Sequence, residues 1–145
     1  MLYRFCLLFC CFLIFGCGSS RTYSVRAVIT LDGEPLAEAE VELLSVQENG
    51  VSAIGTTDVD GGVTFSTGEI DGVFSGSYIM LVSKMVEEKT LTNNEIRALA
   101  EVGIRYSPHM IELVPKEYTR RETSDLKVKI GYWYPKELPI DLRSE

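Results

Sequence analysis

The chain has 145 residues, four cysteines and a formal net charge of −7. A chain this acidic is a poor candidate for binding nucleic acid, or for holding anionic lipid by charge alone. Its length suits a single domain that buries most of its apolar surface.

The amino-terminal segment predicts export. Residues 1–4 make a short basic start, and residues 5–15 contain no charged or strongly polar side chain. Eleven apolar residues are too few for a transmembrane helix, which needs about 20, but they fit the apolar region of a secretory signal.

Residues 13–17 (LIFGC) resemble the bacterial lipobox, in which the signal is cut before a cysteine that carries diacylglycerol on its sulfur. We expect residues 1–16 to be a lipoprotein signal peptide, Cys17 to carry the lipid and residues 17–22 to include a short tether. The alternative is an ordinary secretory signal followed by an unrelated cysteine. Gly18 favours the outer membrane, because an acidic residue after the lipid cysteine marks inner-membrane retention in some bacteria.

The other cysteines, Cys6, Cys10 and Cys11, all lie within the expected signal. The exported domain would then contain no disulfide, and its stability would depend on its hydrophobic core.

Alternation of apolar and polar residues begins at Tyr23 and predicts β-strands. The segment 36–46 is rich in helix-forming Ala, Glu and Leu, but its alternation and the following Asn49-Gly50 hairpin signal favour a strand. Segment 77–84 is apolar on both faces, which predicts a central position in a sheet. The predicted strands are 23–31, 36–46, 51–57, 63–67, 77–84, 126–130 and 138–142. This pattern predicts an all-β sandwich over residues 23–145.

Asp58 and Asp60 precede Gly61-Gly62, which is typical both of calcium loops and of tight turns. An EF-hand loop needs a third oxygen ligand two residues after Asp60, where Gly62 stands, although Glu69 occupies the last ligand position. A predicted strand also fills the space where the loop would continue. The sequence therefore predicts a turn, with no metal site.

Several ordered segments resemble the bacterial carboxypeptidase-regulatory-like domains, which are transthyretin-like, or prealbumin-like, β-sandwiches. They are residues 28–37, Ala39, Val41, residues 57–61, 76–78, 115–118 and 122–126. The resemblance implies a Greek-key sandwich of about seven strands that acts as an accessory or binding module, and it implies no catalytic residues. The chain departs from the pattern at Glu38, where a glycine is common, and over residues 86–110.

An enzyme of this fold class would need groups that the sequence does not supply. The hydroxyisourate hydrolases use several histidines and a carboxy-terminal Tyr-Arg-Gly-Ser, whereas this chain has one histidine, His109, and ends Leu-Arg-Ser-Glu. It has no Gly-x-Ser-x-Gly motif and no cysteine free to pair with histidine. The acidic residues Glu69, Asp71, Glu87 and Glu88 are close in sequence, but acidic loops are usually solvated.

Two segments are candidates for partner contact. The long connection 86–110 contains a capping box at Thr92–Glu95 and a predicted helical insertion over residues 92–103, ended by Gly103. It is functional or, as we favour, covers an open edge or end of the sandwich. If the strand from Leu126 continues, Tyr132 and Tyr134 extend the inward face and Trp133 points outward.

We therefore expect a non-catalytic, lipid-anchored binding or structural module of the cell envelope, with Cys17 as the lipid site. Trp133, Tyr132 and Tyr134 are the candidate partner contacts. The expected partners are the membrane, through the anchor, and an envelope protein or glycan, with no nucleic acid and no cofactor. A carbohydrate-binding module is the second interpretation, and an enzyme with a carboxylate site is the third.

Overall fold

The computed structural model of the protein describes residues 21–144. The predicted signal peptide, Cys17 and the start of the tether lie outside the described residues. The strands are β1 (Thr22–Tyr23), β2 (Arg26–Leu31), β3 (Glu34–Pro35), β4 (Glu40–Ser45), β5 (Ala53–Thr56), β6 (Gly62–Thr64), β7 (Ser66–Thr67), β8 (Ile70–Asp71), β9 (Val73–Phe74), β10 (Gly76–Ser83), β11 (Met85–Glu87), β12 (Met110–Glu112), β13 (Lys127–Ile130) and β14 (Glu137–Leu142). One helix, α1 (Asn93–Glu101), lies between β11 and β12.

Two sheets form the sandwich. The larger has the order β13-β10-β4-β5-β7-β8, and the smaller has the order β14-β2-β3, with β6 also paired to β2. In the described part of the chain, seven strands of these sheets have three residues or more. The predicted all-β sandwich with one helical excursion is confirmed.

The core follows the alternation of the strands, since every second residue of a strand points to the same face. Strand β10 buries Tyr78, Met80 and Val82, while Ile79 and Leu81 on its outer face are half-buried. It lies between β13 and β4, as its apolar faces predict. The other strands add the buried residues Ala27, Ile29, Val41, Leu43, Ala53, Val63, Val73, Val128, Ile130 and Leu142.

Two predicted strands are interrupted. The first breaks at Ser24 and Val25, so that β1 pairs with β9 while β2 joins the smaller sheet. The predicted strand 63–67 breaks at Phe65, because β6 pairs with β2 in one sheet and β7 pairs with β5 in the other. Phe65 is buried where the chain crosses between the sheets. Alternation alone does not reveal such a crossing.

Strand β4 begins at Glu40, later than predicted, because residues 36–39 are held by Thr57. The buried Thr57 hydroxyl donates to the Leu36 carbonyl at 2.6 Å and accepts from the Ala39 amide at 2.8 Å. Glu38 adopts a φ of 54°, a left-handed conformation that favours glycine. The chain therefore makes a tight bend before β4.

The connection after β10 forms an arm, defined as residues 85–112. Its base is fastened by Glu112, which accepts hydrogen bonds from the Ser83 hydroxyl at 2.6 Å and from the Lys84 amide at 2.7 Å. Burial alone would raise the pKa of Glu112, but these bonds and others from the Val114 and Leu113 amides hold it below its ordinary value.

Helix α1 has the predicted termini. The Thr92 hydroxyl accepts from the Glu95 amide, and the Glu95 carboxylate accepts from the Thr92 amide at 2.8 Å. At the other end, Gly103 has a φ of 77° and donates to Ala100, and Ile104 donates to Leu99, which is a Schellman arrangement.

The expectation that α1 covers an edge or end of the sandwich is wrong. No residue of the helix is buried, and it makes no extended packing contact with either sheet. Residues 114–126 instead run beside the far part of β10, where Tyr118 and Leu126 accept hydrogen bonds from Val82 and Met80.

Candidate binding site

The candidate site is built on the turn between β13 and β14, which we call the aromatic turn (residues 131–136). Strand β13 ends at Ile130, and the Tyr134 amide then donates to the Gly131 carbonyl at 3.3 Å. The Lys136 carbonyl accepts from the Arg26 amide at 2.8 Å, and β14 begins at the next residue, parallel to β2. The turn thus carries the chain from the larger sheet to the smaller one.

The predicted continuation of the strand through Tyr132 and Tyr134 is wrong. These side chains do not extend the inward face: Tyr132 is 77% exposed and Tyr134 is 46% exposed. The turn begins at Gly131, and the Tyr134 ring lies 3.5 Å from the position that a Cβ on this glycine would take.

Trp133 is 89% exposed, which confirms the prediction that it is accessible. The reason differs from the expected one, since the residue lies in a turn and not on the outer face of a strand. Its ring meets that of Tyr132 edge to face, with centroids 4.9 Å apart and planes at 89°. The pair leaves a large aromatic surface in contact with water.

An open groove of about 640 Å³ lies beside the aromatic turn. One wall is formed by residues 22–26 and the other by residues 130–132 and 134–137. The lining includes the aromatic residues Tyr23 and Tyr134 and the charged residues Arg26, Lys136 and Glu137. Among the described residues that line the groove, none is histidine or cysteine.

Arg26 connects the groove to the turn between β5 and β6. Its guanidinium lies 3.4 Å from the Asp58 carboxylate. Hydrogen bonds from the Gly62 and Asp60 amides, together with Arg26, hold the pKa of Asp58 below its ordinary value despite some desolvation. Asp58 therefore partly balances the positive charge of Arg26.

Tyr23 and Arg26 are site residues that sequence reasoning did not identify. The alternation predicts Tyr23 as the start of a continuous strand over residues 23–31, but the break at Ser24 and Val25 brings it to the groove wall. No composition signal marks this break, because both residues are compatible with a strand.

The predicted turn at Asp58–Gly62 is confirmed. Asp58 Oδ1 accepts from the Gly62 amide at 2.7 Å and from the Asp60 amide at 3.0 Å, and the Asp58 amide donates to the Gly62 carbonyl. Across residues 21–144, no group of three or more His, Cys, Asp or Glu side chains is arranged to hold a metal ion.

The four acidic residues grouped in the sequence lie in two parts of the molecule. Glu69 and Asp71 belong to the β7–β8 hairpin at one edge of the larger sheet, where β4 and β5 separate the hairpin from β10. Glu87 and Glu88 lie in the arm beyond β10, where Glu88 is 3.8 Å from His109. Glu87 Oε1 is buried and has no hydrogen-bond partner among residues 21–144.

Within residues 21–144, no helix is long and apolar enough to cross a membrane.

The chain matches no protein-family model, no curated protein and no solved structure. The likeness to carboxypeptidase-regulatory-like domains therefore depends on the ordered sequence segments given above.

Proposed function

We propose that the protein is a lipid-anchored module of the cell envelope that binds a partner without catalysing a reaction. The observation that carries the proposal is the exposed aromatic pair Tyr132 and Trp133 beside an open groove. Exposed aromatic rings gain contact area at low cost in side-chain entropy, which makes them common anchors of interfaces.

The anchor is proposed from the lipobox-like segment that ends at Cys17. Two or three acyl chains, at about 0.8 kcal/mol per buried methylene, hold a protein stably on a membrane. The resemblance to small lipoproteins with transthyretin-like sandwiches agrees with an accessory role. The left-handed backbone of Glu38, at a position where such domains commonly have glycine, fits the same interpretation.

A carbohydrate-binding module is the second candidate. The groove favours it, because Tyr23 and Tyr134 offer ring faces while Arg26 and Glu137 can exchange hydrogen bonds with hydroxyl groups. Retention of the protein on a glycan affinity gel, lost in Tyr134→Ala, would favour this candidate. An enzyme with a carboxylate site stays third, and turnover that one carboxylate substitution abolishes would favour it.

The anchor is tested by Cys17→Ser. We expect the variant to keep its signal peptide and to lack the diacylglyceryl mass, whereas the parent shows both cleavage before Cys17 and the added lipid. Mature parent protein recovered from the soluble fraction with a free thiol at Cys17 would contradict the proposal.

Partner binding is tested by crosslinking the native lipidated protein in its own envelope. We expect crosslinks from the sandwich to one recurrent partner, reduced in the double variant Tyr132→Ala, Trp133→Ala. The matched control is Val102→Ala, which removes an exposed apolar side chain from the arm. Equal crosslinking in all three proteins would show that the aromatic turn does not carry the binding.

A further inference from the structure

The larger sheet separates two ends of the molecule. At the beginning of β10, Gly76 is paired with Ile130, directly before the aromatic turn. At its other end, Ser83 leads into the arm. Eight residues of strand span about 23 Å from first to last, so the arm and the aromatic turn leave from opposite ends of the sheet.

The chain reaches the sandwich at the end that carries the aromatic turn. Thr22 and Tyr23 pair with Phe74 and Val73, just before β10 begins. Thr22 and Tyr23 also form the groove wall that faces Tyr132 and Tyr134. Any segment that precedes Thr22 therefore leaves the described structure next to the aromatic turn.

Cys17 stands five residues before Thr22. Even fully extended, this segment reaches no more than about 18 Å. A lipid on Cys17 would therefore keep this end of the sandwich near the bilayer surface.

The side chains at this end suit the interfacial region of a bilayer. Indole and phenol rings are favoured at the level of the headgroups, because they combine an apolar body with a polar group. Val46 and Val51, in the loop between β4 and β5, add exposed apolar surface beside β10. Arg21 and Lys136 supply positive charges for anionic headgroups at this end, where Glu137 adds one negative charge.

We propose that the aromatic turn contacts the bilayer that holds the anchor, with Trp133 and Tyr132 lying in the headgroup region. This inference depends on the lipid anchor of the proposed function. A lipid surface fits the pair better than a glycan does, because two rings at 89° cannot both stack on one face of a sugar. The contact fixes the orientation of the sandwich and leaves the arm facing away from the membrane.

The experiment uses the mature lipidated protein in vesicles of phosphatidylethanolamine and phosphatidylglycerol, with and without bromine on the acyl chains. Trp133 is the only tryptophan, so all tryptophan emission comes from the turn. We expect the emission maximum to move to shorter wavelength on transfer from detergent to vesicles. We also expect quenching by the brominated lipid and slow quenching by acrylamide.

A tryptophan moved to the arm provides the matched control. The double variant Trp133→Phe, Val102→Trp carries its single indole at a site where Val102 is 71% exposed. We expect this indole to emit at long wavelength, to be quenched readily by acrylamide and not to be quenched by brominated lipid. Equal lipid quenching at both positions would overturn the proposed orientation.

The remaining outcomes separate the inference from the proposed function. Protein that floats with the vesicles while Trp133 stays open to acrylamide and unaffected by bromine overturns the membrane contact and leaves the anchor intact. Protein that does not float overturns the anchor, and the inference with it. An emission shift caused by envelope glycan in detergent, without lipid quenching in vesicles, assigns the aromatic turn to glycan and also overturns the inference.

Discussion

At the scale of single residues, the two carboxylate oxygens of Asp58 make separate contacts. Its Oδ1 accepts hydrogen bonds from the Asp60 and Gly62 amides, and its Oδ2 faces Arg26. These contacts hold the pKa of Asp58 below its ordinary value. The stabilising contribution is therefore complete above the unfolded-state pKa and is lost as the pH falls through the folded-state pKa.

We predict that Asp58→Ala lowers the melting temperature by several degrees, whereas Asp60→Ala, which removes an exposed carboxylate from the same turn, leaves it nearly unchanged. Because Asp58 Oδ1 already accepts hydrogen bonds from two backbone amides, millimolar calcium should not raise the melting temperature of the parent. Thermal unfolding followed by circular dichroism measures both effects. A calcium-induced rise of several degrees that disappears in Asp60→Ala would show that this turn binds calcium.

Glu38 gives the second prediction at this scale. Its left-handed backbone is unfavourable for a residue with a Cβ by about 1 kcal/mol, and glycine avoids that cost. We expect Glu38→Gly to leave the free energy of unfolding unchanged or to raise it. The control Glu40→Gly lies in extended β4 and should lower it by about 1 kcal/mol. Chemical denaturation of the two variants checks this, and an equal loss in both would contradict it.

At the scale of elements, α1 depends on its ends because it buries no residue. An isolated helix shorter than about 12 residues is marginal in water, and α1 has nine. Its capping box and its Schellman end satisfy backbone groups that packing does not protect.

We predict that Thr92→Ala, which removes about 1 kcal/mol of capping, raises the hydrogen-exchange rates of the α1 amides without changing the melting temperature of the sandwich. Thr90→Ala is the control, since Thr90 is exposed and lies outside the capping box. Exchange measured by nuclear magnetic resonance resolves the helix from the sheets. A parallel loss of sandwich stability would mean that α1 supports the core.

The elements differ in how far the sequence could predict them. Strand β10 and helix α1 were predictable because alternation in one and capping in the other are local signals. The breaks at Ser24 and Phe65 were not, because each reflects the pairing of distant strands. The exposure of Trp133 was predictable, but the groove beside it was not, since its walls come from residues about 100 positions apart.

At the scale of the whole molecule, the arm and β14 contribute differently to stability. Strand β14 pairs with β2 along its full length and buries Leu142 completely. The helical part of the arm buries nothing and is attached through a base fastened by Glu112.

We predict that truncation after Lys136 abolishes cooperative unfolding, because it removes Leu142 from the core and exposes an edge of β2. By contrast, replacing residues 90–108 with a short glycine-serine turn should leave the melting temperature close to that of the parent. The single change Leu142→Ala should cost about 2–5 kcal/mol. Near-ultraviolet circular dichroism and thermal unfolding test all three variants, and a cooperative transition in the truncated chain would contradict the role given to β14.

The parallel pairing of β2 with β14 also sets the timing of folding. Thr30 and Asp141 are joined by a hydrogen bond of 2.8 Å, although 111 positions separate them in the chain. Contacts this distant in sequence form slowly, because the loop between them must close first. While the chain is being made, β2 has no partner on one side until β14 (Glu137–Leu142) emerges. A fragment that ends before β14 therefore lacks the strand that covers this edge of β2 and cannot close the core.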